Sequence, residues 1–152
     1  MKKLLLLFLM LYPPPCYAIS QGEIINKIKA EARRQQVNER VALSIAYIES
    51  TYNPVALNKE YNKGKLIGES LGLYQVRLST AKGHCGIKSK AELLKPDNNI
   101  RCGISYLKYQ IGRYHNLEKG ILAYNAGSYR VRNGKPVNQD YLDRFNKAMG
   151  EL

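Results

Sequence analysis

Asn38-Glu39-Arg40-Val41-Ala42-Leu43-Ser44-Ile45-Ala46-Tyr47-Ile48-Glu49-Ser50-Thr51-Tyr52-Asn53-Pro54 is the stretch on which the fold turns. Asn38 offers a side-chain oxygen to the free amides of a helix start. Val41, Ile45 and Ile48 then recur at helical spacing and form one apolar face. Pro54 limits the helix, because the residue before a proline, here Asn53, is pushed out of helical geometry. Glu49 lies four residues after Ile45, so the apolar stripe ends on a carboxyl group at the carboxyl end of the helix. Partial burial disfavours the charged form there, and the negative end of the helix dipole disfavours it too. A proton held near neutral pH is the consequence, and general acid catalysis needs such a group. A glutamate that merely paired with a lysine would sit on the polar face instead.

Outward from this segment, helical periodicity continues on both sides. Ile24, Ile25, Ile28 and Ala32 mark an amphipathic first helix between Gln21 and Arg34. Downstream, Pro96-Asp97-Asn98 lead into Ile100, Ile104, Leu107 and Ile111, spaced 4, 3 and 4, which is the clearest helix of the chain. Shorter helices are expected over Leu117 to Tyr124 and over Asp140 to Met149. Residues 55 to 70 hold turn-formers and charges and read as a loop. No long alternation of apolar and polar residues appears, so any strands are short and confined to 58–76. The expected fold class is mainly α, a single domain with at most a short β-hairpin.

The first eighteen residues have the order of an export signal: Met1-Lys2-Lys3, an apolar run from Leu4 to Tyr12, Pro13-Pro14-Pro15, then Cys16-Tyr17-Ala18. Cleavage is expected after Ala18, leaving residues 19–152 as one exported, periplasmic domain. A membrane anchor is the weaker reading, since the run is about half the roughly 20 residues that span a bilayer. Acylation of Cys16 competes too, although three prolines precede it. Cys85 and Cys102 remain as an even pair in an oxidising compartment, where a disulfide is expected. Two free thiols or half of a metal site are the alternatives, and the two histidines, His84 and His115, give poor metal-ligand spacing. Neither a metal nor a cofactor is expected.

The formal charge of +12 falls to +10 without Lys2 and Lys3, the only charged residues of the leader. An anionic partner follows, and for an exported chain that means cell-wall polymer or a membrane surface. Within residues 19–152 the basic residues are scattered, with only Arg33-Arg34 adjacent, so no nucleic-acid partner is expected.

Three pieces in order, Glu49-Ser50-Thr51-Tyr52-Asn53-Pro54, Gly72-Leu73-Tyr74-Gln75-Val76 and Ala123-Tyr124-Asn125-Ala126-Gly127, resemble the motifs of the soluble lytic transglycosylases. Thr80-Ala81, Asn99-Ile100, Gly103 and Tyr106-Leu107 are similar to the family as well, and the likeness runs from about Ile24 to Phe145. It implies the helical fold of goose-type lysozymes and cleavage between N-acetylmuramic acid and N-acetylglucosamine. Glu49 would protonate the leaving oxygen, then accept the proton of the muramyl C6 hydroxyl, giving a 1,6-anhydromuramyl end. No water enters, so the second carboxylate of an ordinary glycosidase is not required.

By the same resemblance Gln75, Tyr124 and Asn125 line the sugar groove, and their amides and hydroxyl suit acetamido groups and ring hydroxyls. A turn-forming asparagine and a core tyrosine are the competing readings. Tyr141 matches a tyrosine that approaches the catalytic carboxyl group, with a core role as the alternative. Ser50 and Asn58 are counted with Tyr141 among the substrate-binding residues, Ser50 expected to brace Glu49 and the helix end and Asn58 to support the glutamate. Glu69 reads as a solvated charge, and Asp97, Asp140 and Asp143 as residues of helix starts. Tyr74 stands where the family usually has methionine and is expected to alter the groove. The partners implied are peptidoglycan glycan strands and, from size, a secretion, conjugation or pilus machine, with the protein acting as a monomer. The alternatives are a hydrolytic lysozyme of the same fold and a non-catalytic peptidoglycan-binding module.

Overall fold

The computed structural model describes residues 19–152. The export-signal reading of residues 1–18, with Cys16 and the cleavage after Ala18, lies outside the described residues. Helix α1, Gln21–Gln35, opens on a reciprocal cap: Ser20 Oγ accepts from the Glu23 amide while the Glu23 carboxylate accepts from the Ser20 amide. Helix α2, Glu39–Ser50, starts on Asn38, whose Oδ1 accepts from the amides of Arg40 and Val41. It ends in a sharp reversal, because Thr51 and Tyr52 both adopt left-handed backbone angles, φ 52° and 61°.

A three-stranded antiparallel sheet follows, formed by β1 (Leu57–Asn62), β2 (Lys65–Leu71) and β3 (Val76–Arg77) in that order. Residues 55–70 are therefore not a loop. The strands escape the period-2 signature because β1 is exposed or half-exposed at every position, so neither face needs to be apolar. Their turn, Lys63-Gly64, has positive φ at both residues, 48° and 77°, as tight hairpins require.

Helices α3 (Leu78–Cys85) and α4 (Lys90–Leu93) come next, and helical periodicity marks neither. Each buries one residue, Ala81 and Leu93, which leaves no apolar stripe to detect. Helix α5, Pro96–Tyr114, is the axis of the molecule, with Ile100, Ile104 and Leu107 in the core against Ile24 and Ile28 of α1. Helix α6, Leu117–Ala126, lies along α5, and Gly120 allows that approach, because a Cβ there would strike the Ile111 backbone. A second hairpin, β4 (Val131–Arg132) and β5 (Lys135–Pro136), lies outside 58–76. Its turn, Asn133-Gly134, is a recognisable hairpin dipeptide. Helix α7, Gln139–Glu151, packs Tyr141, Leu142, Phe145 and Ala148 inward and lies against α2 and α6. The fold is mainly α, as the helical periodicity implies.

Cys85 of α3 and Cys102 of α5 are joined in a disulfide, with their Cα atoms 5.6 Å apart. This bond ties the segment that follows the sheet to the central helix.

Candidate active site

The end of α2, the sheet, the start of α3 and the facing sides of α6 and α7 enclose a groove of about 650 Å³. Glu49 stands in it, half-buried. The Tyr141 hydroxyl donates to Glu49 Oε1 at 2.6 Å. Burial pushes the Glu49 carboxyl group up to about 7, while the Tyr141 hydrogen bond and the positive charge of Arg144 pull the other way. The Tyr141 hydroxyl is held well above its ordinary range, mainly by burial and then by the neighbouring Glu49 charge, so it stays a donor. Tyr141 is 2% exposed, so the core role and the approach to Glu49 hold together.

Ser50 does not line the groove. Its hydroxyl lies 2.8 Å from the Leu73 carbonyl and 3.2 Å from the Ala46 carbonyl, and its oxygen accepts from the Asn53 amide. It thereby fastens the end of α2 to the Gly72-Leu73-Tyr74 turn, and among the described residues it makes no hydrogen bond to Glu49.

Gln75, Tyr124, Asn125 and Asn58 all line the groove, with parts of their polar groups already engaged. Gln75 Nε2 donates to the carbonyls of Gly72 and Ala56, which leaves its carbonyl oxygen for a ligand. Asn125 Oδ1 accepts from Asn138 Nδ2, leaving its own amide nitrogen. Tyr124 is buried, and its hydroxyl proton goes to the Tyr74 carbonyl at 2.7 Å. The phenol thus presents ring to the groove, with its donor used inside. Asn58 lies on β1 opposite Ser70, exposed along the sheet wall.

Tyr74 does not shape the groove with its side chain. It is fully buried, donates its hydroxyl to the Ala42 carbonyl at 3.0 Å, and packs where a Cβ on Gly103 would collide with its ring. A larger residue at that turn is accommodated because α5 carries glycine opposite. Glu69 is not a solvated charge either, since it forms an ion pair with Lys90 and does not line the groove. Asp97 pairs with Lys27, and Asp143 accepts from Gln139.

Asn99 is fully buried, donates to the carbonyls of Leu71 and Leu93, and accepts from the Tyr74 amide. It pins the sheet and its following turn to α5, and the motif likeness alone gives no such role. Asn138 holds Asn125, while Arg130 and Arg144 line the groove. Arg144 follows Tyr141 by one helical turn, so helical spacing from the tyrosine could have found it.

A family model described as the transglycosylase SLT domain matches residues 26–145. The membrane-bound lytic murein transglycosylase C of Mannheimia succiniciproducens is 30% identical over 143 residues, covering 84% of this chain and 38% of the relative. The protein of the same name from Yersinia pestis is 30% identical over 138 residues, covering 81% and 35%. The chain therefore spans little more than a third of the length of the curated relatives it matches.

Proposed function

The chain belongs to the transglycosylase SLT family, and on that footing we propose that residues 19–152 form an exported lytic transglycosylase domain acting on peptidoglycan. The scissile bond is the β-1,4 bond between N-acetylmuramic acid and N-acetylglucosamine. The observation that carries the reading is the half-buried Glu49 carboxyl group, its pKa raised to about 7, hydrogen-bonded by Tyr141 in a polar groove. At neutral pH a substantial fraction of such a group is protonated, as a general acid must be. Because Tyr141 donates to Oε1, Oε2 is the atom that carries the proton.

The first step moves that proton to the leaving glycosidic oxygen as the bond to the anomeric carbon breaks. The substrate's acetamido oxygen stabilises the positive anomeric carbon. Glu49, now a carboxylate steadied by Tyr141 and Arg144, takes the proton of the muramyl C6 hydroxyl as that oxygen closes onto C1. The product is a 1,6-anhydromuramyl end, and the acid is regenerated for the next cycle. Gln75, Asn125 and Asn58 supply polar groups to the sugars, and Tyr124 supplies a ring face.

One observation favours a hydrolytic second reading. Glu60 also lines the groove, and a glycosidase that uses water employs a second carboxylate. Glu60, however, is ion-paired with Arg77 on the sheet wall. Mass spectrometry of digested sacculi separates the two: anhydro ends support the transglycosylase, and reducing ends heavier by one water support the lysozyme. A role in a secretion, conjugation or pilus machine belongs to the same proposal, and co-purification with envelope complexes tests it.

A further inference from the structure

The two walls of the groove differ in charge. On the sheet side, the carboxylate of Glu60 meets Arg77 in an ion pair, and Asn58 and Ser70 are neutral. On the side of α6 and α7 stand Arg130 and Arg144, both exposed, and among the described residues neither makes an ion pair or a side-chain hydrogen bond. Arg144 rests over the Tyr141 ring, 5.3 Å from its centroid, which holds one guanidinium beside the reacting carboxyl group. The acetamido groups and ring hydroxyls of a glycan strand carry no charge and call for no such cations. The muramyl residue differs from its neighbour by a lactyl arm, which ends in a carboxylate or in a peptide that bears carboxylates.

We propose that Arg130 and Arg144 form a carboxylate-recognising subsite that selects muramyl residues through the charge on their lactyl arm. The inference rests on the peptidoglycan reading given above and adds the feature that sets register. Alternating sugars offer two kinds of β-1,4 bond, and only one places the muramyl residue where its C6 hydroxyl reaches Glu49. Guanidinium forks bind carboxylates with paired hydrogen bonds, which the compact sugar hydroxyls of the neighbouring residue cannot reproduce.

Calorimetric titration of E49Q, which binds without turnover, tests the subsite. The ligands are chitotetraose, the peptide-free tetrasaccharide of alternating N-acetylglucosamine and N-acetylmuramic acid, and the same tetrasaccharide with its peptides. At least one muramyl ligand is expected to bind about tenfold tighter than chitotetraose, the scale of a charge-assisted hydrogen bond. Adding R130Q and R144Q should bring it to the level of chitotetraose. The single addition of R130Q, which leaves Arg144 on Tyr141, should show the same change in smaller measure. Whichever muramyl ligand is tighter identifies the lactyl or the peptide carboxylate as the source. Equal affinity for all three, or a preference that survives both replacements, overturns the proposal. Digestion of sacculi by the wild-type protein is read separately, so failure of the catalytic reading and failure of this one give different results.

Discussion

The groove has two walls made in different ways. The helical wall sets Glu49 and Tyr141 on α2 and α7, whose inward faces are part of the main core. The sheet wall presents Asn58 and Glu60 from a hairpin whose strands are largely exposed. The first is over-determined by packing, and the second is held by backbone pairing, by Asn99 and by the Cys85–Cys102 bond. On the proposed reading, chemistry that needs a fixed proton position falls to the helical wall, and the sheet wall adds sugar contacts of its own to those of Tyr124 and Asn125.

The largest effect belongs to the helical wall. Glu49→Gln is expected to lower cleavage of sacculi at least about a hundredfold, because the amide keeps the shape and can carry out neither proton transfer. The same variant should gain stability at alkaline pH. The folded pKa of about 7 lies above the ordinary 4.5, so ionisation is harder in the folded state. Wild-type stability from this group is present below pH 4.5 and is lost as pH rises to about 7. The Gln variant should exceed wild type by at most roughly 3 kcal/mol at pH 8 and show no such gain at pH 4. Thermal melts at the two pH values decide it, and an equal difference at both would remove the buried-acid argument.

Cutting the tie of the sheet side is the next test. Replacing Cys85 and Cys102 together by alanine should cost about 3 kcal/mol. Chemical denaturation measures it, and an unchanged midpoint would show that the sheet side does not depend on the bond. Tyr141→Phe then sharpens the contrast within the helical wall. Losing a hydrogen bond to the carboxylate should reduce kcat/KM about tenfold. Because that bond holds the Glu49 pKa down, the alkaline limb of the pH profile should move to higher pH. A tyrosine that only filled the core would lower activity without moving the limb.

The same contrast decides what the sequence discloses. Val41, Ile45 and Ile48 spell out α2 because one face is buried, and a carboxyl group at its end is conspicuous for the same reason. Strand β1 has no buried face, so its residues read as loop, and α3 shows one buried alanine and no side-chain cap. The pairing of Tyr141 with Glu49 spans 92 residues, and local pattern carries no such information; the family resemblance supplied it. Tyr74 misleads for a physical reason: the turn places its neighbours in the groove, while the side chain enters space that Gly103 leaves open. Arg130 and Arg144 look like any of the scattered basic residues until the groove gathers them.

The smallest effect is expected on the sheet wall, at Asn58→Ala. Asn58 is exposed, its backbone pairs with Ser70, and its side chain makes no hydrogen bond among the described residues. Removing the amide should therefore change stability by no more than about 0.5 kcal/mol, as for an ordinary surface site. In the groove the amide can make one neutral hydrogen bond to a sugar, worth about 1 kcal/mol, so KM should rise about fivefold. The proton transfers lie on the opposite wall, so kcat should hold. Steady-state kinetics on soluble glycan strands separate the two constants. A fall in kcat comparable to that of Tyr141→Phe would mean that Asn58 supports Glu49 itself, and the division of labour between the walls would have to be abandoned.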